Sequence, residues 1–329
     1  MKKIRVFEAF SGYGSQSIAL RNIGVDYEVV AISEIDKYAI KAYEAIHGKA
    51  NNLGDISKID VEDIPEHDLF TYSFPCQDIS IAGRHMSLEE GSGTRSSLLW
   101  ECKKIIEYCK PKYLLMENVK NLVSKKHKSY FDKWLNYLES LGYTNYWKVL
   151  NAKDFGVPQN RERVFVVSIL GEHKPYEFPK PIELEKTLTD VLCDDVDSKY
   201  YLSTEKIRMI YNWKANQRPL KKVLGLGSIS PTLTARGAGL YHSGMILINE
   251  NFEDTTNVDE IISEQPITDD ITFKLRKLTP LECWRLMGVS DEDFYKVKNA
   301  GILNSQLYKL AGNSIVVDVL EEIFKNLFK

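Results

Sequence analysis

The chain has 329 residues, 43% hydrophobic and 27% charged, with a formal net charge of -3. That is length enough for a full α/β core and a smaller second lobe, and the composition excludes a disordered or collagen-like chain. Met1-Lys2-Lys3 leads straight into Ile4-Arg5-Val6-Phe7 without an apolar leader, and no apolar run approaches the ~18 residues of a membrane span, so neither secretion nor membrane insertion is expected. The first half then alternates strand-like and helix-like stretches. Residues 4–7 read as a strand, 15–23 as a helix, 27–32 as a strand and 37–47 as a helix. A strand over 68–72, a helix over 97–109, a strand over 112–116 and a helix over 130–141 follow, with strands near 146–150 and 164–169. This alternation predicts an α/β fold with a doubly wound, mostly parallel sheet. After Phe178-Pro179-Lys180-Pro181 the pattern becomes irregular, with Gly225-Leu226-Gly227 and Arg236-Gly237-Ala238-Gly239, and it returns to a helical period over 313–328. The expected division is a first domain of residues 1–183 completed by 303–329, and a second, mainly β domain of 184–302.

Several segments carry residues suited to chemistry. Strand one runs into Phe10-Ser11-Gly12-Tyr13-Gly14-Ser15, a Gly-x-Gly turn that lets backbone approach a nucleotide-like ligand. A third glycine is missing, with Ser17 in its place, so a plain tight turn explains this segment equally well. Strand two ends in Ser33-Glu34-Ile35-Asp36, an acidic position about 20 residues past the turn, where ribose hydroxyls are accepted. Asp36 also suits a helix N-terminus. Gly54-Asp55-Ile56 offers a further carboxylate for an adenine amino group. Together these fit an adenosine-containing ligand.

The sharpest segment is Ser73-Phe74-Pro75-Cys76-Gln77-Asp78-Ile79-Ser80, just past strand three. Pro75 fixes its own φ and extends Phe74, which would present Cys76 from a stiff turn. A long Gly/Ser/Arg loop with Arg84 and Arg95 follows, and residues 81–97 are the candidate lid. Strand four ends in Met116-Glu117-Asn118-Val119, and Gln159-Asn160-Arg161-Glu162-Arg163 opens a strand whose one face would present Arg161 and Arg163 together. A solvated strand end remains open as the plain reading of both. Five scattered cysteines argue against a disulfide framework, and no Cys-x-x-Cys or His-x-x-x-His spacing suggests a metal, so a reduced, cytoplasmic, metal-free protein is expected.

This ordered series resembles the C5-cytosine DNA methyltransferase family, in particular its compact bacterial and phage modification enzymes. The resemblance spans nearly the whole chain, ending in Arg276-Lys277-Leu278-Thr279-Pro280-Leu281-Glu282-Cys283 and Gly312-Asn313-Ser314. Two departures are Phe7-Glu8-Ala9-Phe10 in place of an Asp-Leu-Phe core and Ser15 in place of a frequent glycine; Phe10, Gly12 and Gly14 are intact.

The resemblance implies a Rossmann-like fold and S-adenosylmethionine as cofactor. Its donor site would comprise Phe10, Ser11, Gly12, Gly14, Glu34, Ile35, Asp55, Ile56, Pro75, Asn313 and Ser314. It implies a catalytic set of Cys76, Glu117, Arg161 and Arg163. Cys76 would add to carbon 6 of the cytosine and make carbon 5 nucleophilic. Glu117, protonated, would meet N3, and Arg163 would hold O2. The target base would be flipped from double-stranded DNA.

Residues 184–302 would then be the target-recognition domain, with Ser230-Pro231-Thr232-Leu233-Thr234-Ala235-Arg236-Gly237 resembling the family's Thr-Leu segment. Ser80, Arg84, Arg95, Arg218, Thr232 and Arg236 are the expected DNA contacts, with Gln217 a further candidate. A cognate restriction endonuclease acting separately and a monomeric state are also implied. Two other readings stay open: a cytosine-5 RNA methyltransferase on the same scaffold, and a catalytically silent DNA-binding homologue.

Overall fold

The structure, a computed structural model, describes residues 2–75, 95–208, 223–235, 245–249 and 273–329. The chain divides into two compact units: Met1–Asn151 with Glu162–Pro181 and Ile315–Lys329, and Ala152–Arg161 with Ile182–Ser314. Residues 152–161 and 303–314 therefore fall in the second unit, where the sequence places them in the first.

The first unit is built on one six-stranded sheet. Its strands are β1 (Ile4–Ala9), β2 (Tyr27–Ser33), β3 (Leu69–Tyr72), β4 (Tyr113–Val119), β5 (Tyr143–Asn151) and β7 (Glu162–Leu170), in the order β2-β1-β3-β4-β7-β5. β2, β1, β3 and β4 pair in parallel; β1, β3 and β4 are largely buried, as strands covered on both faces must be, while β2 at the sheet edge is buried only over Ala31–Ser33. β7 is antiparallel to both β4 and β5. Helices α1 (Ser15–Asn22), α2 (Lys37–His47), α3 (Glu101–Cys109) and α4 (Lys128–Ser140) link the strands, and α8 (Val317–Phe328) packs against α1, with Asn22 Nδ2 donating to Glu321 Oε1 at 2.8 Å.

Two sequence expectations shift here. The run 97–109 begins as a 3-10 turn, Arg95–Trp100, before α3. The run 313–328 is two helices, because Asn313 closes one and Val317 opens the next.

Glu8, central in β1, is fully buried. Its Oε1 accepts from Ser17 Oγ at 2.7 Å, and its Oε2 finds no partner among the described residues. Burial pushes its carboxyl up to about 7, opposed by hydrogen bonds from Ser17 and Tyr43. A folded-state value above the unfolded one means that the native state holds the extra proton. Stability is therefore fully present at acid pH and is lost as pH rises from about 4.5 towards 7. Glu8→Gln keeps the shape without the charge. Its melting temperature should fall less than wild type between pH 5 and 8, for a difference on the order of 3 kcal/mol. Parallel pH dependences for the two proteins would refute this.

The second unit holds the two-stranded sheet of β6 (Gln159–Asn160) and β9 (Ser230–Pro231), which are parallel, and a three-stranded sheet in the order β11 (Phe273–Arg276), β10 (Met245–Asn249), β8 (Val223–Leu224). Among the described residues it also carries the helices α5 (Pro280–Arg285), α6 (Asp291–Asn299) and α7 (Asn304–Asn313). α5 starts with a capping box: Thr279 Oγ1 accepts from Glu282 N, and the Glu282 carboxylate accepts from Thr279 N at 2.6 Å. The same carboxylate takes both Nη groups of Arg276, at 2.8 and 2.9 Å, with both side chains at most 2% exposed.

Candidate active site

In the first unit the turn between β1 and α1 is shaped by three alternate left-handed residues, Phe10 (φ 55), Gly12 (φ 58) and Gly14 (φ 81). Gly14 is demanded by space as well. A Cβ there would lie 2.5 Å from His47 Nε2 and 2.7 Å from Tyr43 Cε2. At Gly12 the same added atom meets nothing within 4 Å, so this part of the loop faces open space.

Glu34, at the end of β2, ties the turn together. Its Oε2 accepts from Gly12 N at 2.9 Å, and its Oε1 accepts from Ile35 N and Asp36 N at 2.8 and 2.9 Å. A carboxylate has about four lone-pair positions, so roughly one is left for a further donor such as a ribose hydroxyl. Asp36 caps α2 through Tyr38 N and Ala39 N.

A residue the sequence reading passed over joins Glu34 to the next loop. Asn52 Oδ1 accepts from Glu34 N and Gly54 N, and its Nδ2 donates to Glu34 O. The available signal was an Asn two residues before a Gly, the mark of an Asx turn. Asp55 spends one oxygen on Ser57 N and Oγ, at 3.1 and 2.8 Å, and the Ser57 hydroxyl holds its carboxyl below the usual range.

Two observations test whether an adenosine-type ligand suits this surface. Ser11 Oγ is buried with no hydrogen-bond partner among the described residues, and Ile35 is an apolar side chain left 72% exposed beside Glu34. A polar tail against the glycine turn would satisfy the first, and a flat aromatic base would cover the second. The residues fit such a group.

The second cluster of the unit lies on β4 and β7. Their antiparallel register sets Glu117 opposite Phe165 and Val119 opposite Arg163, so Glu117 and Arg163 are diagonal neighbours on one face. Arg163 Nε lies 3.1 Å from Glu117 Oε1, with both side chains largely buried. Asn118, on the opposite face, is buried and donates from Nδ2 to Phe74 O at 2.9 Å while its Oδ1 accepts from Val119 N. It thereby clamps the extended Phe74-Pro75 segment from which residue 76 continues. Cys76, Ser80, Arg84, Arg218 and Arg236 lie outside the described residues, as does most of 81–97; of Arg95 only the backbone is described.

Arg161 does not share a face with Arg163. It falls between β6 and β7 and belongs to the second unit, where it is 3% exposed. Its Nη1 donates to Leu233 O at 2.9 Å, and its Nη2 donates to Gly312 O and Ser314 O at 3.0 and 2.6 Å. The expected strand is interrupted at this residue, which turns the guanidinium onto these three carbonyls. Thr232, expected on DNA, donates its hydroxyl to Asn160 O at 2.6 Å. Asn313 is exposed at the end of α7, and Ser314 follows it.

The four described cysteines are free thiols, and burial pushes all of them up. Among the described residues there is no cluster of His, Cys, Asp or Glu placed to hold a metal, and no helix long and apolar enough to cross a membrane.

A largely parallel sheet with a glycine turn and strand-end carboxylate at one site, and an Arg–Glu pair at another, is the architecture of a Rossmann-like methyltransferase. The profile of the C-5 cytosine-specific DNA methylases matches residues 4–329, and the chain belongs to that family. It is 41% identical to the type II methyltransferase M2.ScrFI of Lactococcus lactis subsp. cremoris, over 99% of both chains. It is 34% identical to the orphan methyltransferase M.SPBetaI of Bacillus phage SPbeta, over 99% of this chain and 98% of that one. In fold it is similar to the S. pombe Dnmt2 methyltransferase, with a TM-score of 0.75 at 21% identity, covering 99% of this chain and 100% of that one. The enzyme is thus a cytosine-5 DNA methyltransferase that requires a methyl donor.

Proposed function

We propose that the protein transfers a methyl group from S-adenosylmethionine to carbon 5 of a flipped-out cytosine in double-stranded DNA, through a covalent bond to Cys76. The observation that carries this reading is the pairing of Glu117 on β4 with Arg163 on β7, beside Asn118, which clamps Phe74-Pro75 just before Cys76. The donor supplies an electrophilic methyl group; the rest of the chemistry falls to the protein. Phe10, Ser11, Gly12, Gly14, Glu34, Ile35, Asp55, Ile56, Pro75, Asn313 and Ser314 are the proposed donor-binding residues. Ser57 occupies only Oδ1 of Asp55, which leaves Oδ2 for the adenine amino group.

The Cys76 thiolate adds to carbon 6 of the base, and the electron pair displaced from the ring makes carbon 5 nucleophilic. Glu117, in its protonated form, donates to N3, and Arg163 donates to O2 and fixes the ring plane. After carbon 5 takes the methyl group, a water molecule takes its proton, the C5–H pair re-forms the C5=C6 double bond and the C6–S bond breaks, which returns the thiolate and restores the ring. Flipping the base costs a few kcal/mol of stacking, so contacts outside the pocket must offset it. The second unit supplies target recognition, with Arg218 and Arg236 its candidate base or phosphate contacts, and Ser80, Arg84 and Arg95 approach the DNA from the segment after Cys76. A monomer working in the cytoplasm, alone or beside a separate endonuclease, completes the reading.

The test is to incubate the protein with methyl-labelled S-adenosylmethionine and either duplex DNA or tRNA, then map the label. The expected result is 5-methylcytosine at one DNA sequence context. Label on another atom of the base, on tRNA alone, or on neither substrate would overturn the proposal.

A further inference from the structure

Arg161 and the segment around it form a junction that the catalytic chemistry does not use. The segment 232–235 lies between β9 and the stretch where base-reading residues are proposed. It is held at four points within the second unit. Gln159, fully buried, accepts from Leu233 N with Oε1 at 3.0 Å and donates with Nε2 to Leu286 O at 2.7 Å. Thr232 Oγ1 donates to Asn160 O. Arg161 Nη1 donates to Leu233 O. Gly312 completes the junction by lacking a side chain: a Cβ there would lie 2.2 to 2.4 Å from the backbone of Thr234 and Ala235. The contact is therefore backbone against backbone.

The same guanidinium reaches the other side of this junction. Its Nη2 holds Gly312 O and Ser314 O, the two carbonyls flanking exposed Asn313. A rigid planar cation bound to carbonyls of both segments fixes their spacing, because bending either one breaks charge-assisted hydrogen bonds in a buried place. A base or phosphate contact by these Nη groups would forfeit the same bonds. Thr232 has a single hydroxyl proton, and it is already donated inward.

We infer that Arg161 is a positioning residue that couples the two binding events: it ties the segment 232–235, on the DNA-reading side, to the turn 312–314, on the donor side. This rests on the donor and DNA sites proposed above. Occupation of one segment then biases the position of the other, and thermodynamic linkage makes the effect reciprocal.

The experiment titrates S-adenosylhomocysteine, an unreactive donor product, into the protein by calorimetry, with and without a duplex carrying the mapped methylation site. The ratio of the two dissociation constants is the coupling factor. Wild type should bind about tenfold more tightly with the duplex, within the usual range of such couplings. Arg161→Lys, which lacks the planar fork, and Thr232→Val, which removes one tether, should each bring the factor towards one. Gly312→Ala, which pushes on the same backbone from the other side, should do likewise.

Each variant is first checked by thermal unfolding, and Thr232→Val serves if the Arg161 or Gly312 variant does not fold. A wild-type factor of one overturns the inference, as does a wild-type factor preserved in every folded variant. Loss of turnover in Arg161→Lys with the factor intact also overturns it and makes Arg161 a base contact. If wild type binds no S-adenosylhomocysteine at all, the donor site itself is wrong, which is a different failure.

Discussion

Cys76→Ser is expected to lower methyl transfer at least about a thousandfold while leaving donor binding unchanged. The reason lies in the first bond to form. Serine keeps the geometry but is barely ionised near neutral pH, whereas a thiol yields its anion readily and later departs from carbon 6 as a stable leaving group. Burial raises all four described thiols and so lowers their thiolate fraction. Cys102 and Cys283 are fully buried and raised well above the ordinary thiol range, and Cys109 is pushed up to about 11 by its own burial. Donor binding should survive because the residues proposed for it sit mainly on the β1–α1 turn, the end of β2 and the loop bearing Asp55. Two measurements check this: incorporation of labelled methyl into duplex DNA, and calorimetric binding of S-adenosylhomocysteine. A covalent adduct on DNA containing 5-fluorocytosine should form with wild type and not with the variant. Methylation by Cys76→Ser at an undiminished rate would rule out the covalent route.

Glu282→Ala should be the most damaging substitution for stability, by about 3–5 kcal/mol. Its carboxylate neutralises Arg276, accepts from Thr279 N in the capping box and accepts from Cys193 N at 2.8 Å. Alanine would strand a guanidinium that is only 2% exposed and would remove two backbone partners at once. The denaturation midpoint of the purified protein measures the effect. The double variant Arg276→Met with Glu282→Leu should recover much of the loss, since replacing a buried pair by apolar groups is far cheaper than breaking it. If Glu282→Ala unfolds at the wild-type midpoint, the ion pair contributes nothing and the account of this core is wrong.

Much of the first unit was legible because its signals are local. The apolar strands, the glycine turn and Glu34 each follow from a few neighbouring residues, and the pattern places helix 37–47 at the bounds the structure shows. What was not legible depends on long-range pairing. Gln159, Asn160, Arg161, Glu162 and Arg163 read as one strand, but the chain breaks at Arg161 because carbonyls more than 70 residues later claim its guanidinium. Asn118 stood in the sequence only as the neighbour of Glu117, and Asn52 was passed over. Their work of clamping Phe74 O and bridging Glu34 to Gly54 appears only when separate strands lie side by side. The break between Asn313 and Val317 was hidden for another reason: apolar periodicity continues across it, and only the hydrogen bonds stop.

The packing of α8 on α1 also bears on how the chain is made. α1 is complete by Asn22, but the helix that covers it begins only at Val317. At translation rates of about 5–20 residues per second, its covering face stays bare for roughly a quarter to a full minute after it leaves the ribosome. During that interval the nascent chain presents α1 to the cell without its partner. The first unit therefore closes only once Val317–Phe328 has been made.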